Sequence, residues 1–276
     1  MSSTETLDLS IIIPFKNKSA LTIACIESLA KYAPNISEVL IISNSSTKEE
    51  LNKVDVAVKK HKRYKLLKHN TPFNFQEINN WGIRNTKGRV VMLLNNDIEL
   101  TQSSIGLIDK MYQEAIRPKV GAVGCVLVYD DRKTVQHAGV HFVPGGTADH
   151  LFIGKSLKYI KNQTKIDIKE GLETTAVTAA AVMIERSKLK SINNMNEDFI
   201  ICGGDVDLCL RLKEKGFKTW LVGLNYGYMI HKESKSRSMI SVPYVDFVES
   251  YRSYIKHFDF MNGDKYIHQK DVTNAK

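Results

Sequence analysis

The hydrophobic positions near the start of the chain form short continuous runs, separated by segments with helical periodicity. The runs occupy residues 9–14 (LSIIIP), 39–42 (VLII) and 90–94 (VVMLL), and the more polar stretch 64–68 (YKLLK) is also interpreted as a strand. Continuous apolar runs of this kind are typical of strands that are buried on both faces of a sheet. The pattern therefore predicts four β-strands in this part of the chain.

Three helices are predicted between these strands. In residues 19–32 the apolar side chains fall on one helical face, and Pro34 ends the helix. Residues 49–60 and 75–84 predict the second and third helices. Because strands and helices alternate, we expect an α/β fold with a mostly parallel central sheet flanked by helices.

The regularity decays after about residue 120. Residues 120–129 predict a long or kinked strand, whereas residues 136–153 have a loop-rich composition with three histidines. Residues 176–184 predict another strand, and residues 206–215 predict an amphipathic helix that ends at Gly216. No linker rich in Pro, Gly or Ser divides the sequence, so we expect a single domain.

Composition narrows the class of protein. The chain has 276 residues, 43% of them hydrophobic, which is enough for a large core. Its apolar runs are far shorter than the roughly 20 residues that cross a bilayer. The start, MSSTETLDLS, has no basic or apolar signal segment, so residence in the cytoplasm is expected.

The formal net charge of +9 is compatible with nucleic acid, an anionic membrane or a polyanionic ligand. Basic residues concentrate in residues 59–63 (KKHKR) and between Lys232 and Arg237. A run like the first is typical of a solvated helix end. We expect no nucleic-acid partner and leave open a peripheral association with a membrane surface.

Polar side chains follow three of the predicted strands, in PFKN (14–17), SNS (43–45) and NND (95–97). Ligands of open α/β sheets bind at the carboxyl ends of the strands, so we expect these ends to share one crevice. A carboxylate such as Asp97 suits a hard divalent cation. The alternative is that Asn96 and Asp97 cap a helix that starts near Thr101.

Five segments in this order resemble family 2 glycosyltransferases of the GT-A fold, especially those that build bacterial polysaccharides and O-antigens. The segments are IIIPFKN (11–17), VLIISNSS (39–46), FNFQEINNWGIRNTKGRVVMLLNND (73–97), EDFIICGGDVDLCLRL (197–212) and IHKESKSR (230–237). The resemblance covers roughly residues 8–240. It implies a GT-A (nucleotide-diphospho-sugar transferase) fold.

The resemblance also implies a domain plan and an activity. Residues 1–276 would form one GT-A domain, with a nucleotide-sugar-binding half (8–120), an acceptor-binding and catalytic half (121–240) and a C-terminal helical extension (241–276). The implied enzyme is an inverting, metal-dependent hexosyl- or deoxyhexosyltransferase. It would move the sugar from a nucleoside-diphosphate sugar to a glycan or lipid-linked glycan, in the cytoplasm or at the inner face of the membrane.

The metal site implied by the resemblance consists of Asp97 and His231, which would hold Mn²⁺ or Mg²⁺ against the diphosphate. Asn95 stands where an aspartate is often found, and Asn95 or Asn96 would hydrogen-bond the ribose or a phosphate-bound water. A structural role for His231 is the alternative. Lys232, together with Lys235 and Arg237, would screen the charge of the leaving diphosphate.

The resemblance places Pro14, Asn17, Ser43 and Asn80 in the donor pocket. Ser43 replaces the aspartate that usually reads the base, and a hydroxyl supplies no charged acceptor. Asn79, Asn80 and Arg84 have an alternative interpretation as the polar face of an amphipathic helix.

Asp205 inherits the role of general base, which takes the proton of the acceptor hydroxyl. Gly204 replaces the glutamate of the family's Glu-Asp pair. The alternative is that Asp205 and Asp207 are first-turn carboxylates favoured by the helix dipole. His137 lies in a recurrent stretch (QHAG, 136–139), where an acceptor or sugar contact is one interpretation.

Two other classes of function stay open. A nucleotidyltransferase would use a similar metal edge but would prefer a glycine-rich phosphate loop, and PFKNKSA (14–20) contains no glycine. A non-catalytic nucleotide- or glycan-binding module is compatible with the replacements at Ser43 and Gly204.

Overall fold

The computed structural model describes residues 5–142, 148–162, 166–232, 242–262 and 264. Its strands are β1 (Leu7–Phe15), β2 (Ile36–Ser43), β3 (Tyr64–Lys68), β4 (Val90–Leu94), β5 (Ile98–Glu99), β6 (Val120–Cys125), β7 (Leu127–Val128), β8 (Val135–His137), β9 (Val140–Phe142), β10 (Ala148–His150), β11 (Gly171–Thr174), β12 (Ala181–Glu185), β13 (Lys218–Val222) and β14 (Met229–His231). Its α-helices are α1 (Ser19–Tyr32), α2 (Lys48–Val58), α3 (Phe75–Arg84), α4 (Leu107–Ala115), α5 (Leu157–Asn162), α6 (Arg186–Ser191), α7 (Gly204–Glu214), α8 (Tyr244–Lys256) and α9 (Phe258–Asn262).

The largest element is an eight-stranded sheet with the order β11-β13-β6-β12-β4-β1-β2-β3. Strands β3, β2, β1 and β4 are parallel neighbours. Strand β12 runs antiparallel between β4 and β6, whereas β13 is parallel to β6 and antiparallel to β11. The predicted α/β class is confirmed, and the parallel half of the sheet is the part that the apolar runs predicted.

The apolar runs are continuous because both faces of the sheet are covered. Ile12 in β1 packs in one core cluster with Ile78 of α3, whereas Ile13 packs with Met92 in a second cluster on the other face. Successive side chains of a strand point to opposite faces, so a strand covered on both sides needs apolar residues at consecutive positions.

Helix α3 approaches the sheet closely at Gly82. A Cβ atom at this position would lie 2.6 Å from Cγ2 of Ile12 and 2.8 Å from Cδ1 of Ile42. Glycine therefore sets the distance between α3 and strands β1 and β2. This contact fixes the position of α3 on the sheet.

The irregular half confirms the sequence expectation in one place and differs from it in two. Residues 120–129 form two strands, β6 and β7, separated at Val126, so the kinked alternative is confirmed. Residues 136–153, predicted as loop, contain the short strands β8, β9 and β10. Only the end of the run 176–184 is a strand, because residues 176–180 cross the end of β4, where the carbonyl of Ala180 accepts the N–H of Asn95 at 2.9 Å.

A four-stranded sheet with the order β5-β14-β7-β8 lies beyond the end of β4. Strand β14 pairs antiparallel with β5 and parallel with β7, and β8 pairs with β7. These pairings carry His231, at the end of β14, back to the segment that contains Asp97. The small sheet therefore assembles residues that are distant in sequence.

The last helices pack on the irregular half of the chain. The buried carboxylate of Asp246 in α8 accepts the N–H groups of residues 200–202, and the Ser253 hydroxyl donates to Asp207 at 2.8 Å. In the described residues, no helix is long and apolar enough to cross a membrane. The division into two halves and a C-terminal extension stays a prediction.

Candidate functional site

A cavity of about 560 Å³ opens at the carboxyl end of β4. Its wall contains four of the residues predicted from the sequence: Asn95, Asp97, Asp205 and His231. Asn95 and Asp97 follow β4 directly, Asp205 lies in the first turn of α7, and His231 ends β14. The cavity is thus built from three separate parts of the chain, and of the three strand ends predicted to share a crevice only residues 95–97 contribute to its wall.

Asp97 and His231 form the centre of one wall. Nε2 of His231 lies 3.2 Å from Oδ1 of Asp97 and 3.5 Å from Nδ2 of Asn95. Both members of the pair are buried, with Asp97 4% exposed and His231 8% exposed. The pairing of Ile98 with His231 between β5 and β14 sets this approach.

Gln136 fixes the orientation of the His231 ring. Its Oε1 atom lies 2.8 Å from Nδ1 of His231. An amide oxygen only accepts, so Nδ1 of His231 donates to it, and Nε2 is the nitrogen that faces Asp97. A contact between this nitrogen and a carboxylate oxygen holds either a proton or a cation between the two atoms.

This donor set fits a divalent cation of the kind that the family resemblance implies. A carboxylate oxygen and an imidazole nitrogen are ordinary ligands of Mn²⁺, and Mg²⁺ commonly takes few protein ligands and completes its shell with water and phosphate oxygens. Among the described residues, no group of three or more His, Cys, Asp or Glu side chains converges. The remaining positions of the coordination shell would therefore belong to substrate and water.

Asp205 reaches the cavity from the N-terminus of α7. Its Oδ2 atom accepts the N–H of Ala179 at 3.1 Å, and Oδ1 accepts the N–H of Val206 at 2.9 Å. Asp207 is buried instead, where it accepts a hydrogen bond from Arg211 Nε at 2.6 Å. The two first-turn carboxylates thus differ, because Asp207 is used inside the protein and Asp205 lines the cavity.

A close contact with Gln76 explains why residue 204 is glycine in this chain. A Cβ atom there would lie 2.6 Å from Cδ of Gln76, whose buried Oε1 has no hydrogen-bond partner among the described residues. The preceding residue, Gly203, has a φ of 85°, in the left-handed region that favours glycine. The two glycines therefore let the chain turn into α7 over the Gln76 side chain.

Pro14, Asn17 and Ser43 lie at the ends of β1 and β2, outside the cavity wall. Oδ1 of Asn17 accepts the N–H of Thr47 at 2.9 Å, which joins the two strand ends. Ser43 is buried at the end of β2. These residues share the carboxyl edge of the sheet with Asp97, and their role in donor binding stays a prediction.

The structure does not bring Asn80 or Asn96 to the cavity wall. Nδ2 of Asn80 donates to the carbonyl of Met195 at 2.9 Å and to Glu197 at 2.8 Å. Nδ2 of Asn96 donates to Oγ1 of Thr22 in α1 at 3.0 Å. Both amides fix neighbouring segments of the protein instead of facing the cavity.

The structure also tests two alternatives from the sequence, namely helix capping by Asp97 and a polar helix face at Asn79 and Asn80. Thr101 and Ser104 form a capping box around a 3₁₀ turn at Gln102–Ser104, so Asp97 does not cap that turn. Asn79 and Asn80 are buried, so the interpretation of this part of α3 as an exposed polar face is wrong.

Lys232 lies next to the predicted metal pair. Its Nζ is 2.5 Å from Oε2 of Glu99, and its N–H donates to the carbonyl of Asp97 at 3.0 Å. The predicted basic partners Lys235 and Arg237 lie outside the described residues.

Sequence reasoning missed two residues that shape the site. Gln136 was visible only as a member of the QHAG stretch, and nothing in the sequence pointed to Asp246. The Asp246 carboxylate accepts the N–H groups of Ile200, Ile201 and Cys202 at 2.6, 2.9 and 2.8 Å. It therefore holds the loop that leads into Gly203 and Asp205.

Comparison with known proteins gives one family match and two curated relatives. The family model described as glycosyl transferase family 2 matches residues 10–192. The O-antigen biosynthesis protein RfbC of Myxococcus xanthus is 35% identical over 257 residues, which is 90% of this chain and 19% of that protein. The uncharacterized protein y4gI of Sinorhizobium fredii (strain NBRC 101917 / NGR234) is 30% identical over 243 residues, or 85% of this chain and 25% of that protein. The chain thus spans a quarter or less of these relatives.

Solved structures share the fold at low sequence identity. GalNAc-T7 with UDP, GalNAc and Mn²⁺ has a TM-score of 0.68 at 14% identity, over 94% of this chain and 50% of that one. The mannosyltransferase PcManGT of Pyrobaculum calidifontis, in complex with GDP-Man and Mn²⁺, has a TM-score of 0.59 at 11% identity, over 94% and 73%. Residues 1–349 of S. aureus TarS with UDP-GlcNAc have a TM-score of 0.61 at 12% identity, over 93% and 67%.

Proposed function

The chain belongs to glycosyl transferase family 2 and has the GT-A fold, and we propose that it is an inverting, metal-dependent glycosyltransferase. It would transfer a hexose or deoxyhexose from a nucleoside-diphosphate sugar to a hydroxyl group of a glycan. The observation that carries the proposal is one cavity that contains both the Asp97–His231 pair and the carboxylate of Asp205. The nucleotide-sugars in the similar solved structures support the donor class, and the RfbC relative supports a role in surface polysaccharide synthesis.

Asp97 and His231 would hold Mn²⁺ or Mg²⁺, which supplies positive charge where the leaving diphosphate develops negative charge. Gln136 keeps the Nε2 lone pair of His231 directed at this position. Asn95 adds an amide beside the same nitrogen. These residues orient one end of the donor, and the mechanism assigns no proton transfer to them.

Asp205 takes the proton of the acceptor hydroxyl as its oxygen attacks the anomeric carbon. The N–H groups of Ala179 and Val206 hold the carboxylate in place while the rest of the side chain faces the cavity. Attack from the side opposite to the diphosphate in a single displacement inverts the configuration at that carbon.

The donor would extend from Asp97 toward the ends of β1 and β2, because β1 lies beside β4 and β2 lies beside β1. The nucleoside would then meet Pro14, Asn17 and Ser43. The Ser43 hydroxyl would hydrogen-bond the base without supplying charge.

The acceptor would be a glycan on a lipid carrier, presented at the inner surface of a membrane. Helix α8 supports this proposal because Asp246, Glu249 and Ser253 are buried against the protein whereas large apolar side chains face solvent. The exposed apolar residues are Tyr244, Phe247, Tyr251 and Ile255. Phe247 and Tyr251 also line the cavity, so a membrane under this face would bring lipid-linked sugar to its mouth.

Charge favours an anionic membrane as the occupant of this face, since the chain carries a net charge of +9 and Arg252 and Lys256 are exposed beside the apolar residues. Sedimentation with vesicles of phosphatidylglycerol and phosphatidylcholine tests the proposal. The wild-type chain is expected to sediment with the vesicles, and Phe247→Ser/Tyr251→Ser to stay in solution. Equal sedimentation of both contradicts membrane docking by α8.

A thermal-shift and hydrolysis screen tests the catalytic proposal with UDP-, GDP-, dTDP- and CMP-sugars, with and without Mn²⁺. We expect one donor class to stabilise the chain and to be hydrolysed slowly, with release of the nucleoside diphosphate. Asp97→Asn is expected to lose the metal-dependent part of binding, and Asp205→Asn to keep it but lose transfer. Asp55→Asn, in α2 and outside the cavity wall, is the control.

The other classes of function give different results in the same screen. When pyrophosphate is added, a nucleotidyltransferase would convert a nucleotide-sugar into a nucleoside triphosphate and a sugar 1-phosphate, whereas a binding module would bind the donor without turnover. Full turnover by both Asp97→Asn and Asp205→Asn would remove these residues from the mechanism.

A further inference from the structure

Helix α8 presents a row of three aromatic side chains to the cavity. Phe247, Tyr251 and Tyr254 all line its wall, and their spacing of four and three residues places them on one face of the helix. Phe247 is 53% exposed and Tyr251 is 64% exposed, whereas Tyr254 is partly buried. The row therefore leads from the solvent into the cavity, and the mechanism proposed above gives no role to Tyr254.

Contacts of the same helix place Tyr254 close to Asp205. A Cβ atom on Gly203 would lie 2.6 Å from Oγ of Ser250, so α8 packs directly on the turn that leads into α7. Tyr254 follows Ser250 by about one helical turn, and it lies near enough to Asp205 for the two groups to interact electrostatically. The aromatic ring and the proposed general base therefore share one part of the cavity wall.

Neighbouring groups hold the Tyr254 side chain in place. Its ring meets the buried ring of Phe142 at a centroid distance of 5.3 Å, with the two planes at 81°. Its hydroxyl group forms a hydrogen bond with the hydroxyl group of Ser250. A side chain that is already held loses little further freedom when a ligand binds, so Tyr254 is suited to be a rigid contact.

The phenol group of Tyr254 is neutral at pH 7. Burial raises the pKa of Tyr254 to about 12, and the nearby carboxylate of Asp205 acts in the same direction. An uncharged phenol does not compete with Asp205 for the proton of the acceptor hydroxyl. Because the phenol oxygen is engaged with Ser250, the contact surface that Tyr254 offers to a ligand is its ring.

The charge of the cavity wall restricts the kind of sugar that fits beside this ring. The carboxylates of Asp205 and Asp246 line the cavity, and no Lys or Arg does so among the residues that the structure describes. An acidic sugar would bring a further carboxylate without a basic side chain to pair with it. A neutral pyranose instead presents C–H groups on one face of its ring, and these suit the electron-rich face of an aromatic ring.

We propose that the acceptor sugar is a neutral pyranose that stacks on the ring of Tyr254, with its attacking hydroxyl at Asp205. The inference rests on the proposed glycosyltransferase function and names the acceptor class of the same site. The ring is assigned to the acceptor because it lies near the proposed general base, whereas the diphosphate of the donor is expected at Asp97 and His231.

Saturation-transfer NMR on the full chain tests the acceptor class directly. The probes are the methyl glycosides of N-acetylglucosamine, galactose, mannose, rhamnose and glucuronic acid, in the presence of Mn²⁺ with UDP or GDP. We expect transfer to the ring C–H protons of the neutral glycosides and little transfer to the glucuronide. These probes carry no lipid, so their binding does not depend on membrane docking by α8.

Two variants of Tyr254 separate the ring from its hydroxyl group. Tyr254→Phe keeps the ring and is expected to bind the glycosides nearly as the wild type does. Tyr254→Leu keeps an apolar side chain without the ring, and we expect about fivefold weaker glycoside affinity, as for the loss of one aromatic contact. Affinity for UDP or GDP with Mn²⁺, and donor hydrolysis without acceptor, should stay unchanged in Tyr254→Leu. Tyr159→Leu, an exposed change in α5 outside the cavity wall, is the control.

Ring-deuterated tyrosine gives a test that needs no substitution. When the wild-type chain is prepared with it and the aromatic protons are saturated, transfer to the glycosides should fall, because the tyrosine rings no longer carry protons. Transfer that survives deuteration at full strength overturns the inference.

The other outcomes are equally decisive. The inference is overturned if no neutral glycoside binds, if the glucuronide binds as tightly as the neutral glycosides, or if Tyr254→Leu and Tyr254→Phe behave alike. A loss in Tyr254→Leu that is confined to donor hydrolysis assigns the ring to the donor sugar and also overturns it. A wild-type chain that binds the glycosides but turns over no nucleotide-sugar overturns the proposed function instead.

Discussion

At the scale of single residues, Gln136 determines which nitrogen of His231 faces Asp97. Without its Oε1 acceptor the imidazole can turn or change tautomer, and the Nε2 lone pair is no longer held toward the cation position. We expect Gln136→Leu to weaken Mn²⁺ affinity by about tenfold, a usual cost of losing such an outer partner. The measurement is the Mn²⁺ dependence of donor hydrolysis.

Gln113→Leu, an exposed change on α4, is the matched control for Gln136→Leu. It should leave the Mn²⁺ dependence of the wild type intact. If Gln136→Leu behaves like this control, then Gln136 does not orient the metal ligand.

Asp246 is a second residue that supports the site from a distant part of the chain, because it accepts the main-chain N–H groups of residues 200–202. An amide at this position would offer N–H donors to three main-chain N–H groups that now share a carboxylate. We expect Asp246→Asn to cost about 1–3 kcal/mol of unfolding free energy, as for unsatisfied buried groups. It should also lower kcat, because residues 200–202 lead into Asp205.

Urea unfolding and donor kinetics measure the two effects of Asp246→Asn, with the exposed Asp259→Asn on α9 as the control. Wild-type stability together with wild-type kcat in Asp246→Asn would contradict the role given to this carboxylate.

These residues show which parts of the site are open to sequence reasoning. The family resemblance pointed to Asp97 and Asp205, and Asp97 is also marked by its position after a buried strand. Gln136 contacts a residue 95 positions away, and Asp246 contacts N–H groups 44 to 46 positions away. No local pattern encodes such contacts, since they arise only when the small sheet and α8 are in place.

At the scale of elements, the contact between α3 and the sheet gives a prediction. Alanine is a better helix former than glycine, yet a methyl group at Gly82 would collide with Ile12. Overpacking of a dense core costs about 1–3 kcal/mol, so we expect Gly82→Ala to destabilise the chain. A higher unfolding free energy for Gly82→Ala would show that the helix shifts freely.

A double-mutant cycle identifies the cause of that loss. Ile12→Ala removes the side-chain atoms that the new methyl group would meet, so the double variant should lose less stability than the sum of the two single variants. If the two losses of unfolding free energy simply add, the cost of Gly82→Ala does not come from contact with Ile12.

The elements differ in how far the sequence predicts them. Strands β1, β2 and β4 are buried on both faces, so their composition alone marks them. Strands of two or three residues, such as β5 and β14, hold only through partners far away in the chain. The strand predicted over 176–184 begins too early for a related reason. The first residues of this run line the cavity or pack in the core and are not part of β12.

At the scale of the whole molecule, the cavity is lined by residues that lie far apart in the described chain, from Asn95 to Tyr254. Asp97 follows β4 of the parallel half, His231 comes from the small sheet, and α8 supplies Tyr251 and Tyr254 to the opposite wall. Asp264, beyond α9, accepts hydrogen bonds from Phe142 N–H at 3.0 Å and from Thr175 Oγ1 at 2.6 Å. The C-terminal helices are therefore part of the site and of the core.

Buried histidines couple the stability of this assembly to pH. Burial holds the pKa of His141 and that of His257 below the usual range. The unfolded chain binds protons at these positions near pH 6.5, whereas the folded chain does not, so the unfolded state gains protons first as the pH falls. Unfolding free energy should therefore decrease from pH 7.5 to pH 5.5, a window above the titration of ordinary carboxylates.

Urea unfolding across this pH window tests the coupling with a matched pair of variants. His257→Gln removes one titrating group and should make the pH dependence shallower. Ile41→Val, in the core cluster that contains no histidine, titrates no proton. It should lower stability equally at every pH, because packing does not depend on proton uptake. A wild-type slope in His257→Gln would assign the acid sensitivity to other groups.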